Sequence, residues 1–172
     1  VGGVLKDMDD TMLKTIVDTV NDMEKELRPI AEAFLHNYTV GTRLYGLGVL
    51  SAEHAQMMGA VGPTARASGV SYAARVLGSA AYGGLDFEQR ISKAGDSLAR
   101  CDVRIREIFQ SFDLLRQAVA KIPQGPIAVP VKGNPNGEHF LQFEQPRGEA
   151  IYYVKANGTR FIDRFRLRTP TT

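Results

Sequence analysis

Residues 62–75 read GPTARASGVSYAAR, a run dominated by small residues that carries two guanidinium groups, Arg66 and Arg75. Small residues let the backbone approach a neighbour closely. A guanidinium held in fixed geometry takes a phosphate, an anionic substrate or a carboxylate of the same protein. Ser68 adds a hydroxyl between the two arginines, but no GxSxG surrounds it and no histidine is placed to activate it. A second set lies further on: Arg100, Arg104, Glu107 and Ser111 recur at steps of four, three and four, the spacing of one helix stripe. That stripe reads either as a solvated charged face or as a row of charge turned toward a site or a neighbouring subunit.

Other chemistries are excluded by pattern. No GxGxxG opens a helix after a strand and no GxxxxGKS/T is present, so a nucleotide cradle is unsupported. Glu53 and His54 are adjacent, which on a helix points them about 100° apart; capping and solvation explain them better than acid–base work. The single cysteine, Cys101, rules out an internal disulfide and any CxxC metal site within the chain, and its place in an apolar stripe marks an inert thiol. His36, His54 and His139 lie far apart and none has HExxH spacing, so no metal site is expected within this chain. With 44% hydrophobic and 23% charged residues the composition is that of an ordinary globular protein. A net charge of +2 gives no nucleic-acid signature, although 14 Arg against 7 Lys favours charge held in fixed pairs. No stretch approaches the roughly 18 apolar residues that span a bilayer, so direct membrane insertion is not expected.

These groups need elements to hold them. Residues 5–35 place Leu5, Met8, Met12, Ile16, Val20, Met23, Leu27, Ile30 and Phe34 at steps of three and four, predicting a core-facing amphipathic helix that Pro29 kinks or divides. Residues 38–50 are interrupted by Gly41, Gly46 and Gly48. Ser51 is positioned to cap a short helix, AEHAQMMGA, ending at Gly59 or Gly62. Residues 62–75 then read as an irregular, tightly packed segment, and 76–96 as loop with a short strand. A second long helix starts near Asp96 with an apolar stripe of Leu98, Cys101, Ile105, Ile108, Phe112, Leu115 and Val119, and stops before Pro123 and Gly125. Beyond Pro126 the alternation is that of β structure. Asn157-Gly158 signals a two-residue hairpin, and the return strand puts Phe161, Asp163, Phe165 and Leu167 on one face and Arg164, Arg166 and Arg168 on the other. The expected fold is α+β: predominantly helical, with two long amphipathic helices, a Gly-rich connection and a small C-terminal antiparallel sheet. We take it as one domain over 1–172, helical over about 1–122 and β-rich over about 126–172.

Four stretches in this order also carry a family resemblance: VGGV, then GLGVLSAEHAQMMGAVGPTARASGVSYAAR, then GDSLARCDVRIREIFQS, then EQPRGEAIYYVKANGTRFIDRFRLRTPT. Together they resemble the large subunit of energy-converting NiFe hydrogenases (the Ech, carbon-monoxide-induced and formate-hydrogenlyase types). The plan is similar as well to their relative, the 49-kDa subunit of respiratory complex I, an NADH:quinone oxidoreductase. The resemblance covers nearly the whole chain. It implies a central portion of a longer subunit, whose two CxxC pairs for a Ni–Fe centre would lie upstream and downstream. The portion itself is then expected to be inactive and without cofactor. The implied partners are a small Fe–S subunit and membrane-arm subunits, in a cytoplasmic complex peripheral on the inner face of the membrane; alone, the portion is expected to self-associate. In that setting Arg66, Ser68 and Arg75 line the interior near the redox site. Arg100, Arg104, Glu107, Glu144 and Arg147 form a structural polar network. The alternatives are a quinone-type subunit and a cofactor-free scaffold. One departure stands out: where the family often reads YDxR, this chain reads SYAAR, so Ala73 removes a local acid; either Arg75 pairs elsewhere, with Glu107 or Glu144, or this protein handles that site differently.

Overall fold

The structure, a computed structural model, describes residues 2–78 and 80–170. Val1 of the VGGV stretch, Ser79 and Thr171 of the terminal RTPT fall outside them. The order of elements is α1 (Asp10–Leu35), α2 (Tyr38–Leu44), α3 (Ala52–Met57), α4 (Gly62–Ala67), short 3-10 turns at Ala74–Leu77 and Ala80–Gly84, α5 (Ser97–Ala120), and strands β1 (Asn136–Gln145), β2 (Gly148–Asn157) and β3 (Ile162–Arg168). The expected α+β plan of two long helices and a small C-terminal antiparallel sheet is what forms. No helix among the described residues is long and apolar enough to cross a membrane.

The long helix α1 starts later than its apolar pattern predicts. Asp9 accepts the Met12 amide at 2.8 Å as the N-cap, so Leu5 and Met8 precede the helix and stay exposed. Pro29 does not divide it: Asp10–Leu35 is one continuous helix. Pro29 and Lys25, whose carbonyl loses its amide partner there, are both exposed. Nor is the whole predicted stripe core-facing. Leu13, Val20 and Ala31 are buried, whereas Met23, Ile30 and Phe34 are exposed.

Helices α1 and α5 run antiparallel: Asn21 and Glu24 hold Arg116, and one turn further the Arg28 guanidinium sits 4.6 Å over the Phe109 ring. The rotation of α5 also differs from expectation. Phe112 of the predicted stripe is buried, but Ile108 and Leu115 are exposed, and Ala99, Val103, Gln110 and Leu114 take the inner positions. Small residues occupy that seam because α4 lies across it. Ala67, Ala99 and Val103 form the joint core, and Gly95 donates to the Ala67 carbonyl at 2.9 Å.

Two stretches read as irregular are helical. Asn37 caps α2 through the amides of Thr39 and Val40, and residues 62–67 of the small-residue segment form α4 with Pro63 in its first turn. Ser51 caps α3 as expected, accepting from His54. Residues 76–96 contain no strand among the described residues; the 3-10 turns stand in its place.

Asp96 has two jobs. Its carboxylate caps α5 through Ala99 at 2.8 Å and also accepts the Gly46 amide at 2.8 Å, tying the 46–50 loop to the helix start. Burial pushes this carboxyl up, but the Gly46 and Ala99 amides, helped by Arg100, outweigh it and hold the group below the usual carboxylate range. A depressed folded value means the contribution is present at neutral pH, persists down to the unfolded value and is lost as pH falls through the folded one. We expect Asp96→Ala to cost about 1–2 kcal/mol at neutral pH and to flatten the acid limb of stability. Chemical denaturation at neutral and acid pH checks this, and an unchanged acid limb would refute it.

The sheet is ordered β1-β2-β3, all antiparallel. Its two-residue turn is Pro146-Arg147, which brings Gln145 opposite Gly148. The predicted hairpin at Asn157-Gly158 is a longer connection, because β3 begins at Ile162, past Phe161, and a register shift falls at Lys155/Ala156. Register places Leu141, Phe143, Tyr152, Val154, Phe165 and Leu167 on one face. That face is the outer one: Leu141, Phe165 and Leu167 are 44, 51 and 47% exposed. The opposite face carries Gln142, Glu144 and Glu149 toward the helices, with Phe140 and Ile151 on the same side.

Candidate functional site

The polar interior is built where α4, α5 and the β1–β2 hairpin meet. Arg66 is the last-turn residue of α4 and is completely buried. Its Nε donates to Glu107 Oε1 of α5 at 2.6 Å, its Nη1 to the Tyr72 carbonyl at 3.1 Å, and its Nη2 stands 2.8 Å from Glu144 Oε1 of β1. The last contact is an ion pair without hydrogen-bond alignment, since neither atom is satisfied by direction. Glu144 also accepts the Ala74 amide at 3.1 Å. One guanidinium thus joins a helix, a loop and a strand, which is the fork geometry for which arginine is suited.

Arg75 finds the partner that its sequence neighbourhood withholds. Ala73 is buried and offers no acid, and the Arg75 guanidinium lies 3.5 Å from Glu107 Oε2 and 4.5 Å over the Phe87 ring. Glu107 therefore serves two arginines, one on each oxygen. Its stripe is the inward polar face of α5, yet its members do different things. Arg104 donates to the Arg100 carbonyl and, at 3.3 Å, to Thr64 Oγ1; Arg100 holds the Gly48 and Gly95 carbonyls and Ser97 Oγ. Neither meets a carboxylate among the described residues, so the network expected of Arg100, Arg104, Glu107, Glu144 and Arg147 contracts to Glu107 and Glu144 around Arg66 and Arg75. Arg147 stays exposed on the turn and makes no ion pair among the described residues. Ser68 is buried but bonded back to the Thr64 carbonyl at 3.2 Å, a local helix-end contact.

Two residues of this interior, Tyr72 and Gln142, had no sequence signal of their own. The Tyr72 hydroxyl donates to Glu149 Oε2 at 2.5 Å, Gln142 Nε2 donates to the same oxygen at 2.7 Å, and Arg168 Nη1 lies 3.7 Å from Glu149 Oε1. The strand register explains why they are needed. Glu144 and Glu149 are direct cross-strand neighbours, and opposed like charges repel unless each is compensated. Arg66 and the Ala74 amide compensate the first; Tyr72, Gln142 and Arg168 compensate the second. A two-residue turn at Pro146-Arg147 was the signal that fixes this pairing. Of the three strand arginines, Arg168 meets an acid of this hairpin; Arg164 and Arg166 form no ion pair among the described residues.

Burial, the hydrogen bond to Glu149 and the charges of Glu149 and Glu144 together push the Tyr72 phenol up to about 12. A raised folded value means its contribution is complete below the ordinary value of 10 and is lost as pH climbs toward 12. Tyr72→Phe is therefore expected to lower stability at neutral pH and to lose less of it on going from pH 10 to 12 than the wild type does. Urea midpoints across that range test it, and parallel losses in the two proteins would rule it out.

Two open spaces adjoin these elements. A cavity of about 350 Å³ lies over the ion cluster, lined by Arg75, Arg104, Glu107, Glu144 and Arg147 among others. A larger groove, about 930 Å³, runs between α1, α5 and residues 86–99 and includes neither Arg66 nor Arg75.

The family model described as respiratory-chain NADH dehydrogenase, 49 Kd subunit, matches residues 1–135. The chain belongs to this family. Among relatives of the 49-kDa family, the carbon monoxide-induced hydrogenase of Rhodospirillum rubrum is 38% identical over 99% of this chain and 48% of its own length. An NADH-quinone oxidoreductase subunit of Thermosipho melanesiensis is 36% identical over 91% of this chain and 45% of its own. A chain in the solved structure of the membrane-bound sulfane sulfur reductase, an archaeal respiratory membrane complex, superposes with a TM-score of 0.91 at 33% identity, over 98% of this chain and 48% of that one. This chain therefore spans about half the length of the relatives it matches, and both hydrogenase and quinone-oxidoreductase names occur among them.

A Ni–Fe centre does not fit the residues present in this 49-kDa-family chain. Among the described residues no three His, Cys, Asp or Glu groups converge as a metal site, and Cys101, the single thiol, is half-buried on α5. The acids that do converge, Glu107 and Glu144, are already taken up by arginines. What the arrangement does is mechanical and electrostatic: it fixes a helix end, a loop and a hairpin to one another through buried charge.

Proposed function

We propose that this chain is the central part of the large subunit of an energy-converting NiFe hydrogenase. In that assembly, H2 oxidation or proton reduction is coupled to electron transfer through an Fe–S partner subunit, and the complex is peripheral on the cytoplasmic face of a membrane. The observation that carries this reading is the 38% identity to the carbon monoxide-induced hydrogenase over 99% of the chain. Likeness to a chain of an archaeal respiratory membrane complex supports partners of the same kind. The role of this chain is a frame: the Arg66 cluster locks α4 against α5 and the hairpin, and buried paired charge of this kind resists displacement because separating it leaves an ion uncompensated. In this reading Arg66, Ser68 and Arg75 belong to the wall nearest the redox chemistry, and the Ni–Fe centre is held by thiolates outside the chain.

The second reading is a quinone-reducing subunit, favoured by the 36% identity to the NADH-quinone oxidoreductase relative. The two separate on one preparation of the full-length protein in its complex. Stoichiometric nickel with H2-dependent viologen reduction is the expected result. Absence of nickel with NADH-dependent quinone reduction assigns the second reading, and absence of both activities assigns a scaffold.

A further inference from the structure

The cavity of about 350 Å³ beside the ion cluster holds more positive charge than the protein neutralises. Its walls include Arg75, Arg104 and Arg147 with Glu107 and Glu144, and the hydroxyl-bearing Tyr82. Both carboxylates are engaged: Glu107 by Arg66 and Arg75, Glu144 by Arg66 and the Ala74 amide. Counting Arg66, four guanidinium groups therefore face two carboxylates. Neither Arg104 nor Arg147 meets an acid among the described residues.

A second, independent observation points the same way. Arg75 is 8% exposed, lines this cavity, and its Nε has no hydrogen-bond partner although it is buried. A buried guanidinium N–H without an acceptor is costly. Its Nη2 contact with Glu107, at 3.5 Å, is loose, and its face rests on the Phe87 ring, which supplies no acceptor for the in-plane N–H. The residue is pinned in orientation with its Nε sealed from solvent, so the donors it can offer to the cavity are those of its Nη groups.

We propose that this cavity is a binding site for a small oxyanion, a phosphate or carboxylate group, held between Arg75, Arg104 and Arg147. Oxygen acceptors of that kind match the guanidinium fork, and the surplus of two positive charges selects an anion over a neutral ligand. Glu107 and Glu144 act here as positioning residues: they hold Arg66 and Arg75 in place and, being already paired, leave a net attractive field. The inference rests on this chain's own geometry and is independent of whether the parent enzyme uses hydrogen or quinone.

Inorganic phosphate is the probe, titrated calorimetrically into the full-length protein at low salt against sodium chloride of matched ionic strength. Saturable phosphate binding with no chloride counterpart is expected, together with a rise in Tm, because a ligand that binds the folded state stabilises it. Arg104→Gln and Arg147→Gln should each weaken phosphate about tenfold, the loss of one charge-assisted contact. Arg43→Gln, exposed on α2, should leave it unchanged. Arg147 lies on an exposed turn and carries no ion pair to lose among the described residues, so that variant tests the site even if Arg104→Gln fails to fold. Acetate in a parallel titration tells whether a carboxylate serves as well. No saturable binding of either anion, or wild-type affinity in Arg147→Gln, overturns the proposal.

Discussion

Arg66→Met is expected to destabilise the fold by about 3–5 kcal/mol, because it leaves buried acids without their cation. Arg66 has no exposed surface, and the side chains of Glu107 and Glu144 that it holds are 12 and 4% exposed. Arg75 would still face Glu107 at 3.5 Å, but Glu144 would keep only the Ala74 amide. The cost comes from the stranded charge more than from the lost attraction, which makes a sharper test available. Adding Glu107→Gln and Glu144→Gln to Arg66→Met should recover a large part of the loss, since a neutral set of similar shape carries no such penalty. Urea unfolding midpoints of the full-length protein measure both steps. A single-variant loss below about 1 kcal/mol would show that solvent screens the cluster as it does surface pairs.

The second large effect is steric. Gly62 opens α4 at φ +69° and packs on the β1–β2 turn. A methyl group there would stand 2.4 Å from the Gly148 Cα and 2.7 Å from the Arg147 carbonyl oxygen. Those are backbone atoms and cannot turn aside as a side-chain end would. Gly62→Ala must therefore push α4 off the hairpin, and α4 carries Arg66 toward Glu144. Left-handed backbone costs an alanine about 1–2 kcal/mol and overpacking adds about 1–3, so a total loss of about 2–5 kcal/mol is expected. Gly59→Ala is the internal control: its φ is +66° but nothing lies within 4 Å of the added methyl, so it should show the backbone cost alone. Equal losses in the two variants would mean that the α4–hairpin contact yields freely.

Much of this was legible without coordinates. The helical periods that predict a long helix within residues 5–35 and another starting near Asp96, the cap at Ser51, and the β alternation beyond Pro126 follow from local rules, and the corresponding elements form at Asp10–Leu35, Ser97–Ala120 and from Asn136 onward. Tertiary context altered the less local features. The N-cap at Asp9, not the apolar period, decides where α1 begins. Helix α5 turns its Ala99 and Val103 inward, and not Ile108, because α4 presses close there and large side chains would not fit. Asn157-Gly158 opens a longer β2–β3 connection, because a register shift at Lys155/Ala156 sets Ala156 opposite Ile162, while the tight turn falls at Pro146-Arg147 between β1 and β2.

Arg66 and Arg75 show most plainly where the two kinds of information divide. Residue order alone establishes that two arginines lie in a small-residue segment, that a helix stripe with Glu107 exists, and that Ala73 gives Arg75 no nearby acid. Long-range contact then decided that both arginines share Glu107, that Glu144 and Glu149 stand opposite each other, and that Tyr72 and Gln142 are drawn in to compensate them. Local rules act over a turn of helix or one strand pair. The charge balance of a buried cluster is set by residues 41 and 77 positions apart, whose proximity exists only once helix, loop and hairpin have closed on one another.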